Sequence, residues 1–130
     1  NGKTAVHFCF GNYGGQTIQS GNWKPLIDFL NSLKCDHLVL ELAHRPDDDL
    51  EALKGIKPEI GIGIGVVDIK VNHIETPEDI AKSIEKAETA LGQGRVKYVH
   101  PDCGFWMLKR SIADRKIAAL AKGRDLYLGI

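Results

Sequence analysis

No long apolar run occurs anywhere in the sequence. Nothing in its 130 residues approaches the ~20 consecutive apolar positions that a membrane-crossing helix needs. The first residues, NGKTAV, lack the basic-then-apolar pattern of a secretion signal. Net charge is absent too: 17 basic side chains balance 17 acidic ones with no block of one sign. That excludes the electrostatic footprint of a nucleic-acid or anionic-membrane binder. Cysteine is scarce, and its three residues cannot all pair within one chain, which points to a reducing, cytoplasmic setting. The chain also opens without methionine, directly before a strand-like run, and is therefore expected to be the C-terminal piece of something longer. Its length suffices for one soluble domain with a real core and is too short for two large ones.

What is present is a regular alternation. Thr4 to Phe10 (TAVHFCF) is rich in β-branched and aromatic residues and stops at Gly-Asn-Tyr-Gly-Gly, a strong strand terminator. A helix follows, with Asn22 as expected cap, Pro25 in its first turn, and Trp23, Leu26, Ile27, Leu30 and Leu33 at helical spacing. Asp36 to Ala43 (DHLVLELA) is a nearly continuous aliphatic run, as in a parallel strand covered on both faces. Pro46 to Ile56 reads as a short helix with acids in its first turn and Gly55 as its stop. Glu59 to Ile69 (EIGIGIGVVDI) is a third strand with glycines 61, 63 and 65 on one face, which allows something to approach closely. These glycines lie inside the strand with no helix directly behind them, so they are not a dinucleotide fingerprint. The next helix is clearly punctuated: Thr76 as cap, Pro77 first, Asp79 three after the cap and Gly92 as stop, with Ile80, Ile84, Ala87 and Leu91 inward. A fourth strand, Val96 to His100, ends in Pro-Asp-Cys-Gly. The last helix is expected from about Lys109 to Lys122, with Ile112, Ile117, Leu120 and Ala121 inward.

Four consecutive strand-helix units argue an α/β fold with a parallel sheet, and residues 1–130 then form one domain. A complete eight-stranded barrel typically takes ~250 residues, so four units make half of a (βα)8 TIM barrel. In such folds chemistry sits at the C-terminal ends of the strands. Those ends carry His7 and Cys9, then Glu41, then Asp68 with Lys70, then Cys103. An imidazole, two thiolates and a carboxylate suit zinc, which accepts mixed nitrogen, sulfur and oxygen ligands in tetrahedral array. The candidate ligands lie tens of residues apart, unlike the closely paired cysteines of zinc fingers and ribbons. Taken singly each has an ordinary explanation. Cys103 alone fits a buried thiol, and Glu41 alone fits an ion pair with Arg45 or Lys70. Cys35 lies at the opposite end of its strand and reads as structural. His44 and His100 lie close enough to the strand ends to support a site from behind, Asp68 is open to a supporting or a structural role, and Trp106 is a better site candidate than Trp23.

Four motifs, HFC at 7–9, LELAHR at 40–45, GVVDI at 65–69 and HPDCG at 100–104, occur in an order that resembles the C-terminal half of the catalytic barrel of the cobalamin-independent methionine synthase family, its shorter members above all. That resemblance implies a catalytic Zn2+ held by His7, Cys9, Glu41 and Cys103, and methyl transfer from a methyl-folate donor to the thiol of homocysteine. Of these four, Glu41 is the hardest and least sulfur-like and is therefore the ligand expected to be displaced or loosened when substrate sulfur binds. Long members carry a proton-shuttling histidine directly after the Asp-Ile pair, where this chain has Lys70, so Lys70 and Asp68 are the catalytic candidates here and the proton donor is open. The alternatives are alkyl transfer to another thiol such as coenzyme M, or an inactive zinc-binding fragment. A four-stranded half exposes two sheet edges, so its expected partner is the N-terminal half of the barrel or a second copy. By itself the chain is expected to be inactive.

Overall fold

The computed structural model describes residues 2–130. Strands form at the four apolar stretches: β1 Ala5–Phe8, β2 His37–Leu40, β3 Gly61–Val67 and β4 Val96–Pro101. Helices α1 Ile27–Ser32, α2 Asp47–Ala52, α3 Pro77–Leu91 and α4 Arg110–Leu128 alternate with them. The sheet order is β1-β2-β3-β4 and every pairing is parallel. This is the expected α/β architecture of four strand-helix units. No helix among the described residues is long and apolar enough to cross a membrane.

Alternation along the strands sorts the side chains onto two faces. Leu38, Leu40, Ile62, Ile64 and Val66 face the helices and pack with Trp23, Leu30, Leu53, Ile80, Ile84 and Ala87 in one buried core. Each Leu, Ile and Val among them contributes about 1.5–3 kcal/mol by leaving water. The register sets His7, Val39, Gly63 and Tyr98 in one row on the other face. That face is partly open: Ala5, His7 and Tyr98 are exposed, and Tyr98 stacks on His37 with ring centroids 4.2 Å apart.

β1, β2 and β3 end earlier than the apolar runs suggest, because the backbone groups beyond them find side-chain partners instead of a neighbouring strand, while β4 runs one residue further, to Pro101. Past β1, the N–H of Phe10 donates to Glu41 Oε1 at 2.7 Å. Past β2, the N–H groups of Leu42 and Ala43 donate to Asp102 Oδ1. Past β3, the N–H of Asp68 donates to Glu75 Oε1. The opposite end of the sheet is tied differently. The Arg95 guanidinium donates to the carbonyls of Ile56, Lys57, Pro58 and Ile60. Asp36 accepts from the N–H and hydroxyl of Thr4, which holds its carboxyl below the usual range.

Helix α3 begins and ends as its sequence dictates, with Thr76 and Asp79 forming a reciprocal capping box, Pro77 in the first turn and Gly92 at the C-cap. The first helix differs from expectation. Asn22 caps nothing; a 3-10 turn at Lys24–Leu26 containing Pro25 leads into α1, and the N–H of Trp23 is taken by Asp49 Oδ1 from α2. The last helix is longer than expected, reaching Leu128 before Gly129 turns left-handed at φ 71°. Its inward face is also rotated. Lys116, Ala119 and Gly123 are buried, whereas Ile117 is 50% exposed and Ala121 is exposed. The cause is Lys116, whose ammonium reaches inward to the Asp68 carbonyl at 2.8 Å and to the Glu75 carboxylate at 2.9 Å.

Gly123 lets α4 lie against α3. A Cβ at this position would meet the side chain of Ile80 at 2.5 Å and the Pro77 carbonyl at 2.9 Å. Alanine gains up to ~1 kcal/mol of helix propensity over glycine, but overpacking costs about 1–3 kcal/mol. Gly123→Ala is therefore expected to destabilise by about 1–2 kcal/mol, read as a lower urea midpoint with an unchanged slope.

Candidate metal centre

The segments that follow β1 and β4 come together over the C-terminal end of the sheet. The donor atoms of His7, Cys9 and Cys103 all lie within 4.8 Å of one another. Alternation along β1 puts His7 and Cys9 on one face, and the Pro-Asp-Cys-Gly turn after β4 carries Cys103 to them. His7 Nδ1 lies 2.9 Å from the Val39 carbonyl. The carbonyl can only accept, so in the neutral ring Nδ1 carries the proton and Nε2 keeps its lone pair, the arrangement of a metal-ligating histidine with its ring held from behind. Burial pushes the Cys9 thiol up, and the neighbouring Cys103 sulfur pushes the same way, against the N–H of Gly11. Two sulfurs crowded beside an imidazole in this way match the nitrogen and sulfur preferences of zinc.

Glu41 lies beside this group and outside it. Its fully buried carboxylate accepts the Phe10 N–H through Oε1, while Oε2 lies 3.5 Å from Lys70 Nζ and 3.7 Å from His44 Nε2. Lys70 is in turn aimed by Asp68, whose Oδ1 accepts the Lys70 backbone N–H at 2.8 Å. The structure thus joins Glu41, Lys70 and Asp68 in one chain of contacts and joins His7, Cys9 and Cys103 in another. The two are adjacent, since the Glu41 charge acts on Cys9 and Phe10 follows Cys9 directly.

The residue that sequence reasoning passed over is Asp102. It is fully buried and accepts three hydrogen bonds: from the N–H groups of Leu42 at 2.8 Å and Ala43 at 2.9 Å, and from His44 Nδ1 at 2.7 Å. Its carboxylate occupies the space above Gly65, where a Cβ would sit 1.8 Å from Oδ1. In the sequence it looks like an ordinary turn aspartate. The available signal was the run of glycines in β3, which announces a close approach without naming the visitor. Asp102, His44 and Glu41 form a second cluster of potential ligand atoms within 4.8 Å.

The remaining candidates divide. Asp49, also buried, accepts from Trp23 N–H and from Arg45, whose guanidinium lies 4.0 Å over the Phe10 ring. Trp23 is core, its indole N–H on the Glu41 carbonyl. Trp106 is 64% exposed and donates to the Asn12 carbonyl, while Asn12 donates to Gly104, so the loops after β1 and β4 are laced together. His100 is half-buried with its Nε2 unpartnered, and burial holds its pKa below the usual histidine value. Cys35 packs against the core at the other end of β2, well away from the thiols of the site.

The model of the cobalamin-independent synthase catalytic domain matches residues 5–125. The chain belongs to this family. Methionine synthases of Thermococcus kodakarensis and Pyrococcus horikoshii are 33% and 31% identical to it over 124 residues, 95% of this chain. The chain spans about a third of the length of these curated relatives, 33% in each case. Among solved structures, a B12-independent methionine synthase from Shewanella sp. W3-18-1 in complex with selenomethionine superposes with a TM-score of 0.72 at 26% identity, covering 98% of this chain and 40% of that one. The four parallel strands and four helices are thus a segment of the family's TIM barrel.

The His44–Asp102 contact sets a pH dependence. The hydrogen bond to Asp102 raises the His44 pKa, burial opposing it. A folded pKa above the unfolded value of about 6.5 stabilises fully below that value and is lost as pH rises through the folded one. In metal-free protein, the urea midpoint of His44→Gln is expected to fall further below wild type at about pH 5.5 than at about pH 8.5. A deficit that grows with pH would contradict the ion pair.

Proposed function

We propose that residues 1–130 are the C-terminal, zinc-binding half of a methionine synthase barrel, which methylates the thiol of homocysteine from a methyl-folate or related donor. The observation that carries this reading is the convergence of the His7, Cys9 and Cys103 donor atoms within 4.8 Å in a chain of this family. Zinc supplies Lewis acidity at such a site, which favours the thiolate form of a substrate thiol.

The chain's own residues do the rest. His7, held through Val39, and the two cysteines form the fixed part of the site. Glu41 would be the fourth and exchangeable ligand: its carboxylate has partners of its own in Phe10 N–H and Lys70, so away from a metal it would not be stranded as an unpaired buried charge. Lys70 gives the carboxylate a partner at 3.5 Å, and Asp68 fixes the lysine's backbone. Lys70 stands where long members of the family carry a histidine, and its ammonium, 3.5 Å from Glu41 Oε2, serves that carboxylate as a charge partner. Free thiols at Cys9, Cys35 and Cys103 accord with a reducing, cytoplasmic setting. The open edges of β1 and β4 call for the other half of the barrel, or a second copy, to complete the sheet.

Purified wild-type protein is expected to hold about one equivalent of zinc, and Cys103→Ser to lose most of it. Methyl transfer to homocysteine is expected from the protein only with a complete barrel. Zinc content untouched by the substitution would remove the site, and transfer to coenzyme M alone would remove the substrate.

A further inference from the structure

Four features of the fold meet at Asp102. Its own N–H is fixed on β3, donating to the Val67 carbonyl at 3.0 Å. Its side chain then crosses β3 at a side-chain-free point, above Gly65. Beyond β3 it takes both N–H groups that immediately follow Glu41 in the chain, those of Leu42 and Ala43, as well as His44 Nδ1. The next residue after Asp102 is Cys103. One buried carboxylate therefore links the backbone beside Glu41 to the backbone beside Cys103, across an intervening strand. His44, clamped by it, points its other nitrogen at Glu41 Oε2, 3.7 Å away.

We propose that Asp102 is a positioning residue for the metal centre: it sets the distance between Glu41 on the loop after β2 and Cys103 on the turn after β4, so that the carboxylate and the thiols can address the same ion. This rests on the zinc reading above. Parallel strands fix the backbone only up to their last ladder hydrogen bond, and both Glu41 and Cys103 lie past it. Without the tie their separation would be that of two loops. With it, the loop after β2 hangs by two backbone N–H groups on one oxygen of the residue beside Cys103. Gly65 belongs to the device as the gap through which the carboxylate passes.

The test compares wild type, Asp102→Asn and Asp102→Ala as purified proteins, with Asp102→Ser in place of alanine should that variant not fold. Zinc affinity is read by competition with a chromophoric chelator, and thiolate ligation by the charge-transfer absorption of the Co2+-substituted proteins. Loss of such a supporting group typically weakens metal binding about 10–100-fold. That loss is expected for Ala or Ser, with reduced thiolate-to-cobalt intensity. Asparagine keeps an oxygen for both backbone N–H groups and is expected to stay within about threefold of wild type. Gly65→Ala, which expels the carboxylate without altering it, is expected to match Asp102→Ala. Wild-type affinity and spectrum in a folded Ala or Ser variant would overturn the proposal. So would an asparagine variant as weak as alanine, which would assign the effect to charge, or a failure of both Ala and Ser to fold, which would assign Asp102 to stability. A wild-type protein that takes up neither zinc nor Co2+ would remove the zinc reading itself, a distinct failure.

Discussion

A carboxylate taken out of water must be given hydrogen-bond donors, and at the C-terminal end of this sheet three carboxylates are taken out of water together. Glu41, Asp49 and Asp102 are each almost wholly buried. All three obtain the donors from backbone N–H groups just outside regular structure: Phe10 for Glu41, Trp23 for Asp49, Leu42 and Ala43 for Asp102. The same groups would otherwise be orphaned where the strands and the first helix begin or stop. Each side of the arrangement satisfies the other. That mutual dependence decides where β1 and β2 end and how the loop before α1 enters.

Much of this was legible in the chain itself. The four strand-helix units follow from apolar runs punctuated by glycine and proline, and α3 is written out residue by residue in Thr76, Pro77, Asp79 and Gly92. The gathering of His7, Cys9 and Cys103 follows from simple alternation plus the rule that parallel strands deliver their ends to one rim. These are local patterns or consequences of topology, and sequence expresses both.

What escaped the sequence depends on contacts between distant segments. Asp102 finds partners about sixty residues away, and two of them are backbone groups, which every residue possesses and no residue type announces. Asn22 looks like a helix cap, but Asp49 reaches across from α2 and takes the position's work. In α4, hydrophobicity nominated Ile117 for the interior, yet Lys116 goes in because an acceptor pair, the Asp68 carbonyl and Glu75, waits at the right depth. A buried lysine is rare unless paired, and the pairing is visible only in three dimensions. Glu41 lay between these cases: its burial and its pairing with Lys70 were foreseeable from its place in an aliphatic run, while the Phe10 N–H and His44 were not.

The two ends of the sheet are held by opposite kinds of chemistry. At the far end Arg95 binds four carbonyl oxygens with a cation that no physiological pH discharges. At the working end the ties run through carboxylates and a histidine, groups that change state with protons and with ligands. Arg95 therefore acts as the fixed foot of the molecule. The base of the sheet keeps its register through four bonds from a single side chain, whatever the state of the groups at the opposite rim.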